Sequence, residues 1–286
     1  MKRASCFILA FSLILTCQVK AQSISETRAF GDHLFIEGDY VNALAAYQRV
    51  AFFMRPETDP MLLFRLGECF FISGDPDRAV EFYDRAWFMM PDDSMKAECL
   101  FRKADCYLVK KQFAYALLEL MSDQDYPDGY LYRKGQLLKG IAYYGMEDFQ
   151  AAGLCFQQSL LPGDTEGRTR IREIFDTPRN FSRPDPRAAM WMSVFLPGLG
   201  QARSGAWGPA INSLMLNGLL VAATFYLSLR IHPFDAIITI SPWFQRYYQG
   251  GLKRASELAE VRRAGNREEI YQDILSIIAS GSNPLN

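Results

Sequence analysis

The residues of this chain able to do chemistry are few, and their spacing assigns no catalytic role. Four cysteines, Cys69, Cys99, Cys106 and Cys155, lie beyond the amino-terminal segment, with no CxxC pair and no Cys/His set at metal-ligand spacing. Cys99 and Cys106 fall on one expected helix, where seven residues rise roughly 10 Å, too far for a disulfide. The two histidines, His33 and His232, are remote in sequence. Gly198, Gly200 and Gly205 do not have G-x-G-x-x-G spacing, no lysine follows them, and no βαβ pattern surrounds them. No G-x-S-x-G and no carboxylate pair in an apolar setting occurs, and Glu68 and Asp105 read as solvated or ion-paired helix residues. The expectation is a non-enzymatic chain with no catalytic residue, metal, cofactor or evident small-molecule substrate.

What organises the first half is a period. Ala43, Ala79, Ala116 and Ala152 stand 36, 37 and 36 residues apart, each preceded three residues earlier by Tyr40, Pro76, Phe113 or Phe149. Phe35, Phe71, Leu108 and Tyr144 lie eight residues before these alanines, and Tyr47, Tyr83, Leu120 and Phe156 four after. Gly38-Asp39, Gly74-Asp75-Pro76, Lys110-Lys111-Gln112 and Glu147-Asp148 break the apolar stripe, so each unit predicts two helices and a turn. A small residue lets paired helices approach, and aromatics one turn on fill the space between neighbouring units.

The pattern resembles the tetratricopeptide repeat. Twelve residues before the alanines stand Gly31, Gly67, Ala104 and Gly140, matching the small eighth position of that family, and Pro91 matches its closing proline. Lys103 and Lys139 depart from it at the usually apolar seventh position. The resemblance covers about 140 residues and implies an all-α solenoid of about four repeats over residues 22–162, a binding scaffold. Arg65, Glu68, Arg102 and Asp105, polar positions of first helices, are the candidate protein-partner contacts. Cys69 and Cys106 share a repeat position, so a bridge between them is conceivable; small buried core residues is the favoured reading.

Residues 1–21 read as a secretory signal peptide, with Lys2-Arg3, an apolar run from Cys6 to Thr16, and Val19-Lys20-Ala21 before the expected cut. A lipoprotein signal at Cys17 is the alternative, ill served by Thr16. Removing that segment takes away three lysines and arginines and no acid, so the formal charge moves from −1 to −4, and nothing in it suggests a nucleic-acid partner.

Residues 163–187 read as a charged linker carrying Arg168, Arg170, Arg172, Arg179, Arg183 and Arg187 with Pro178, Pro184 and Pro186, either a solvated hinge or a contact for lipid phosphates. Residues 188–250 read as a membrane-associated helical domain. Pro209 to Leu229 is uncharged for 21 residues, roughly 31 Å of helix, the thickness of a bilayer's hydrocarbon. A second apolar segment, 234–248, carries Asp235 and ends in Trp243, Phe244, Arg246, Tyr247 and Tyr248, an interfacial composition, so a hydrophobic hairpin is expected. Asn212, Asn217 and Asp235 are polar groups in apolar segments, which motivates the alternative that this hairpin is the functional part of a membrane transport or lipid-handling complex. Ser193, Pro197, Gly198, Gly200 and Gln201 resemble the Ser-x-x-x-Pro-Gly-x-Gly-Gln signature of an uncharacterised domain of Bacteroidota-type bacterial envelope proteins. That resemblance implies a place in the cell envelope, with repeats in the periplasm and anchorage in the inner membrane. Residues 251–286 predict two amphipathic helices, the first ending at Gly265 and the second capped by Asn266 and Glu269.

Overall fold

The computed structural model describes residues 23–54, 59–121, 129–177 and 179–281. The expected leader, with Lys2, Arg3, Cys17 and Ala21, and also Pro178, lies outside the described residues. Among the described residues there are fourteen helices and no strand, so the chain is all-α. It divides into two compact units, Met1–Asp148 and Phe149–Asn286.

The first unit contains α1 (Ile24–Ile36), α2 (Tyr40–Phe53), α3 (Pro60–Ile72), α4 (Pro76–Met89), α5 (Asp93–Val109), α6 (Phe113–Met121) and α7 (Tyr130–Gly145). Helices α1 and α2, α3 and α4, and α5 and α6 pack as pairs, and each even-numbered helix also packs on the next odd one. One turn design joins each pair. The N–H of Asp39 donates to the Leu34 carbonyl (2.9 Å) and that of Asp75 to Phe70 (2.9 Å), ending α1 and α3. The same aspartates then cap the next helix, accepting from the N–H groups of Asn42 and Arg78. The turn needs one left-handed residue, supplied by Gly38 (φ 82°) and Gly74 (φ 84°). In the third and fourth turns Lys111 (φ 57°) and Glu147 (φ 62°) hold that conformation, at a cost glycine avoids.

Ala43, Ala79, Ala116 and Ala152 are all fully buried. Above Gly31 lies the ring of Tyr47, 3.0 Å from where a Cβ would be; above Gly67 lies Tyr83, at 2.6 Å. Glycine is needed there because an aromatic sits four residues after the alanine. In the third pair the aromatic is replaced by Leu120, and Ala104 fits in place of glycine. Buried Lys103 is held between α4 and α6, its Nζ 2.5 Å from Asp84 and 2.7 Å from Glu119. Two carboxylates thus make an apolar position habitable for a charge. No disulfide joins the described cysteines: Cys69, Cys99 and Cys106 are buried free thiols.

The second unit contains α8 (Phe149–Ser159), α9 (Thr165–Phe175), α10 (Arg179–Ser182), α11 (Pro186–Phe195), α12 (Leu199–Arg203), α13 (Trp207–Ser228) and α14 (Pro233–Gly281). Two expectations are corrected here. The stretch read as a charged linker is mostly helical, because Ile171, Phe175 and Phe181 are apolar among its charges. Phe175 stacks on Phe181 (5.1 Å), which stacks on Phe149 (4.2 Å), while Ile171 is fully buried. The two expected carboxy-terminal helices are one continuous helix with the second hairpin segment. Gly265 sits inside it, a cost of about 1 kcal/mol that packing outweighs. Asn266 and Arg267 do not start a helix; their side chains donate to the carbonyls of Arg183 (3.4 Å) and Phe181 (2.8 Å). Ala255, Ala259, Ile274 and Ile278 are buried, and α14 packs on α9, α10, α11, α12 and α13.

Candidate functional sites

In the first unit, the position one residue after the small helix-crossing residue is acidic in the first three pairs: Asp32 follows Gly31, Glu68 follows Gly67 and Asp105 follows Ala104. The first two acids are each paired with a tyrosine hydroxyl and an arginine. Asp32 accepts from the hydroxyl of Tyr47 (2.8 Å) on its own partner helix and from the guanidinium of Arg65 on the next odd helix. Glu68 accepts from the hydroxyl of Tyr83 (2.6 Å) and lies 3.1 Å from Nε of Arg102. Desolvation and the neighbouring carboxylates push both phenols well above their ordinary range, so they stay protonated donors.

An ion-pair ladder results, stepping from α1 to α3 to α5. Glu98 extends it sideways, 3.4 Å from Arg102 and bonded by Nζ of Lys134 on α7 at 2.6 and 2.7 Å. Lys134 also lies over the Phe101 ring, 5.3 Å from its centre. The four predicted contact residues, Arg65, Glu68, Arg102 and Asp105, therefore belong to one connected face. Glu68 is buried rather than solvated, since its partners come from two other helices that composition could not reveal.

The ladder stops at Asp105. Leu120 stands where the tyrosine donor would be, and Leu138 where the arginine of the next odd helix would be. Asp105 keeps only a 3.7 Å contact with Arg102 and has no hydrogen-bond partner among the described residues. Burial lifts its carboxyl from 3.8 to about 6, against the pull of Arg102 and Lys134. The chemistry offered is that of a carboxylate three-quarters covered and able to accept from a cation or a hydrogen-bond donor.

In the second unit, Pro197, Gly198, Gly200 and Gln201 form the junction of α11, α12 and α13. Gly198 is left-handed (φ 95°), and a Cβ there would meet the Ala210 carbonyl oxygen at 2.3 Å. A Cβ on Gly200 would lie 1.9 Å from the Ala189 carbonyl oxygen, and its N–H donates to Oγ of Ser193 (3.0 Å). Gln201, 1 % exposed, donates to the Gly251 carbonyl (3.1 Å), and the Tyr248 hydroxyl donates to that of Val194 (2.7 Å). The motif is thus a backbone-to-backbone clamp in which side chains larger than hydrogen are excluded.

Helix α13 is long and apolar enough to cross a membrane. Its residue distribution is inverted: Ala210, Ser213 and Asn217 face the protein, while Leu214, Met215, Leu219, Val221, Phe225 and Tyr226 are exposed. Asn217 and Thr224 satisfy a donor each on the carbonyl four residues back, at 2.7 and 2.8 Å. Gln201, Asn217, Arg246 and Arg254 line a groove of about 520 Å³ between α13 and α14. Into its wall are buried Oε1 of Gln201 and Oδ1 of Asn217, neither with a hydrogen-bond partner. Asn212 also lines it; Asp235 does not, standing exposed in the first turn of α14. The sequence pointed to Asn212 and Asn217, whereas the role of Arg246 required knowing which residues of α14 face α13. No group of three or more His, Cys, Asp or Glu among the described residues could hold a metal. Compared with known proteins, the chain matches no family model, no curated protein and no solved structure.

Proposed function

We propose that the chain is a non-enzymatic, membrane-tethered tetratricopeptide-repeat scaffold that binds a protein partner in a bacterial cell envelope. In this reading residues 1–21 direct export, the repeats lie in the periplasm, and α13 with the first part of α14 anchors the chain in the inner membrane. One observation carries the binding role: a ladder of neutralised ion pairs that ends in an unfilled carboxylate at Asp105. Ion pairs from helix to helix hold the face rigid, so little ordering entropy remains to be lost on binding. The place left open takes a lysine or arginine from the partner, giving Asp105 the cation that Asp32 and Glu68 already have. Crosslinking in the native envelope, followed by identification of captured proteins, tests this. The same capture from Asp105→Asn as from wild type, and from the alanine replacement of Arg65, Glu68, Arg102 and Asp105 together, would remove the site from this face.

A second reading makes the membrane part the functional centre of a transport or lipid-handling complex. It is favoured by the two unpartnered oxygens of Gln201 and Asn217 beside Arg246, since polar groups are costly in an apolar setting unless used. Arg246→Gln that abolishes a cellular phenotype while partner capture is unchanged would select it.

A further inference from the structure

Five arginines, Arg183, Arg187, Arg203, Arg262 and Arg263, line one open cavity of about 1100 Å³ in the second unit. They come from three segments: the turn before α11 with its first residues, the end of α12, and the second half of α14. The acid on that wall is Asp185, whose Oδ1 is engaged by the N–H of Arg187 (2.9 Å) at the start of α11. None of the five guanidinium groups is in an ion pair among the described residues. The wall is pinned by side chains that donate to backbone, Asn266 to the Arg183 carbonyl and Arg267 to that of Phe181. Five arginines against one carboxylate leave a surplus of positive charge that an anion would complete, and guanidinium forks match phosphate oxygens two at a time.

The depth of the cavity says where the anion comes from. Helices α13 and α14 are joined by a short turn at 229–232, so they run antiparallel, and Gly251 lies opposite Ser213. Trp207, where α13 begins, is then level with about residue 257 of α14. Arg262 and Arg263 lie about 8 Å beyond the end of the apolar helix at about 1.5 Å per residue. With α13 in a bilayer, that is the headgroup layer, which adds roughly 5–8 Å on each side of the hydrocarbon.

We propose that this cavity holds the phosphate-bearing headgroup of an anionic membrane lipid. The inference rests on the reading of α13 as membrane-embedded. A volume well above that of one phosphate accommodates the rest of a headgroup, and the open mouth admits it from the side. Arg203 and Arg263, on different segments, grip the phosphate from two directions.

The test uses the full chain in nanodiscs of phosphatidylcholine alone or doped with phosphatidic acid, with retained lipid read by native mass spectrometry. Pyrophosphate binding in detergent, read by calorimetry, reports on the cavity without a bilayer. Wild type is expected to retain phosphatidic acid over phosphatidylcholine, and Arg203→Glu with Arg263→Glu to bind it about thirtyfold more weakly. Arg187→Gln with Arg262→Gln gives a milder loss and guards against misfolding of the first variant. The control Arg49→Glu with Lys111→Glu, the same charge change on exposed positions of the first unit, leaves retention unchanged. Equal retention by wild type and both cavity variants overturns the proposal. Pyrophosphate binding that both variants abolish, without retention of phosphatidic acid, overturns the lipid as its source and leaves a soluble phosphate. Release of the chain from native membranes by alkaline carbonate would sink the membrane reading separately, because the calorimetric arm does not depend on it.

Discussion

Replacing Asp105 by Asn is expected to stabilise the protein and weaken partner capture, a combination a merely structural carboxylate would not give. In the fold its carboxyl titrates near 6 rather than 3.8, because burial outweighs the attraction of Arg102. Between those two values the folded protein holds a proton that the unfolded chain has released, so stability falls as pH rises through that window. At about 1.36 kcal/mol per pH unit the displacement amounts to about 3 kcal/mol; solvent at the exposed quarter of the side chain brings it to roughly 2–3 kcal/mol. Asn mimics the protonated acid and escapes that cost. Hydrogen exchange of peptides covering α5 in the full chain, followed from about pH 4 to 7.5, reads the difference locally. The variant should match wild type at the acid end and exceed it increasingly toward neutrality. A difference that is flat with pH, or that grows in favour of wild type, would show that Arg102 and Lys134 already satisfy Asp105, and the open end of the ladder would disappear with it.

Tyr83→Phe should cost more than Tyr47→Phe by about 1 kcal/mol in urea unfolding, because Glu68 is buried where Asp32 is partly hydrated; equal losses would contradict the burial argument. Lys111→Gly should raise stability by about 0.5–1 kcal/mol by relieving a left-handed non-glycine residue, a gain visible in the thermal midpoint and absent if the turn relaxes otherwise. Gly200→Ala should cost roughly 3 kcal/mol or more, since the Ala189 carbonyl cannot rotate away, whereas Gly205→Ala meets open space and carries only backbone strain of about 1 kcal/mol. Melting of the two variants in detergent at one temperature would refute this. Cys69, Cys99 and Cys106, their thiols pushed up to about 12 by burial, should resist a thiol reagent at neutral pH until the protein unfolds; rapid labelling of all three in the native state is the contrary result.

Much of the first unit was legible because its constraints are local. The period of the alanines, the glycine or alanine twelve residues earlier and the turn residues all act within one helix pair, and Gly31 and Gly67 meet a tyrosine sixteen residues on. The polar face was legible only in part: Arg65, Glu68, Arg102 and Asp105 could be named, yet their pairing joins residues 33 and 34 apart, across successive helix pairs. In the second unit the clamp motif was visible as residues without a purpose. Its glycines are explained by carbonyl oxygens of Ala189 and Ala210, which no spacing rule reaches.

Period, caps and hydropathy are properties of short stretches of chain, and they suffice for the all-α class, the helix pairs and the long apolar helix. That Gly265 lies inside a helix, that the arginines at 183, 187, 203, 262 and 263 share one cavity, and that the ladder ends at Asp105 are settled by packing. The physical reason is the same in all three. A glycine's small helix cost, a guanidinium's missing counter-charge and a carboxylate's missing donor are each settled by neighbours that arrive from other helices, and those neighbours are fixed only when the chain is packed.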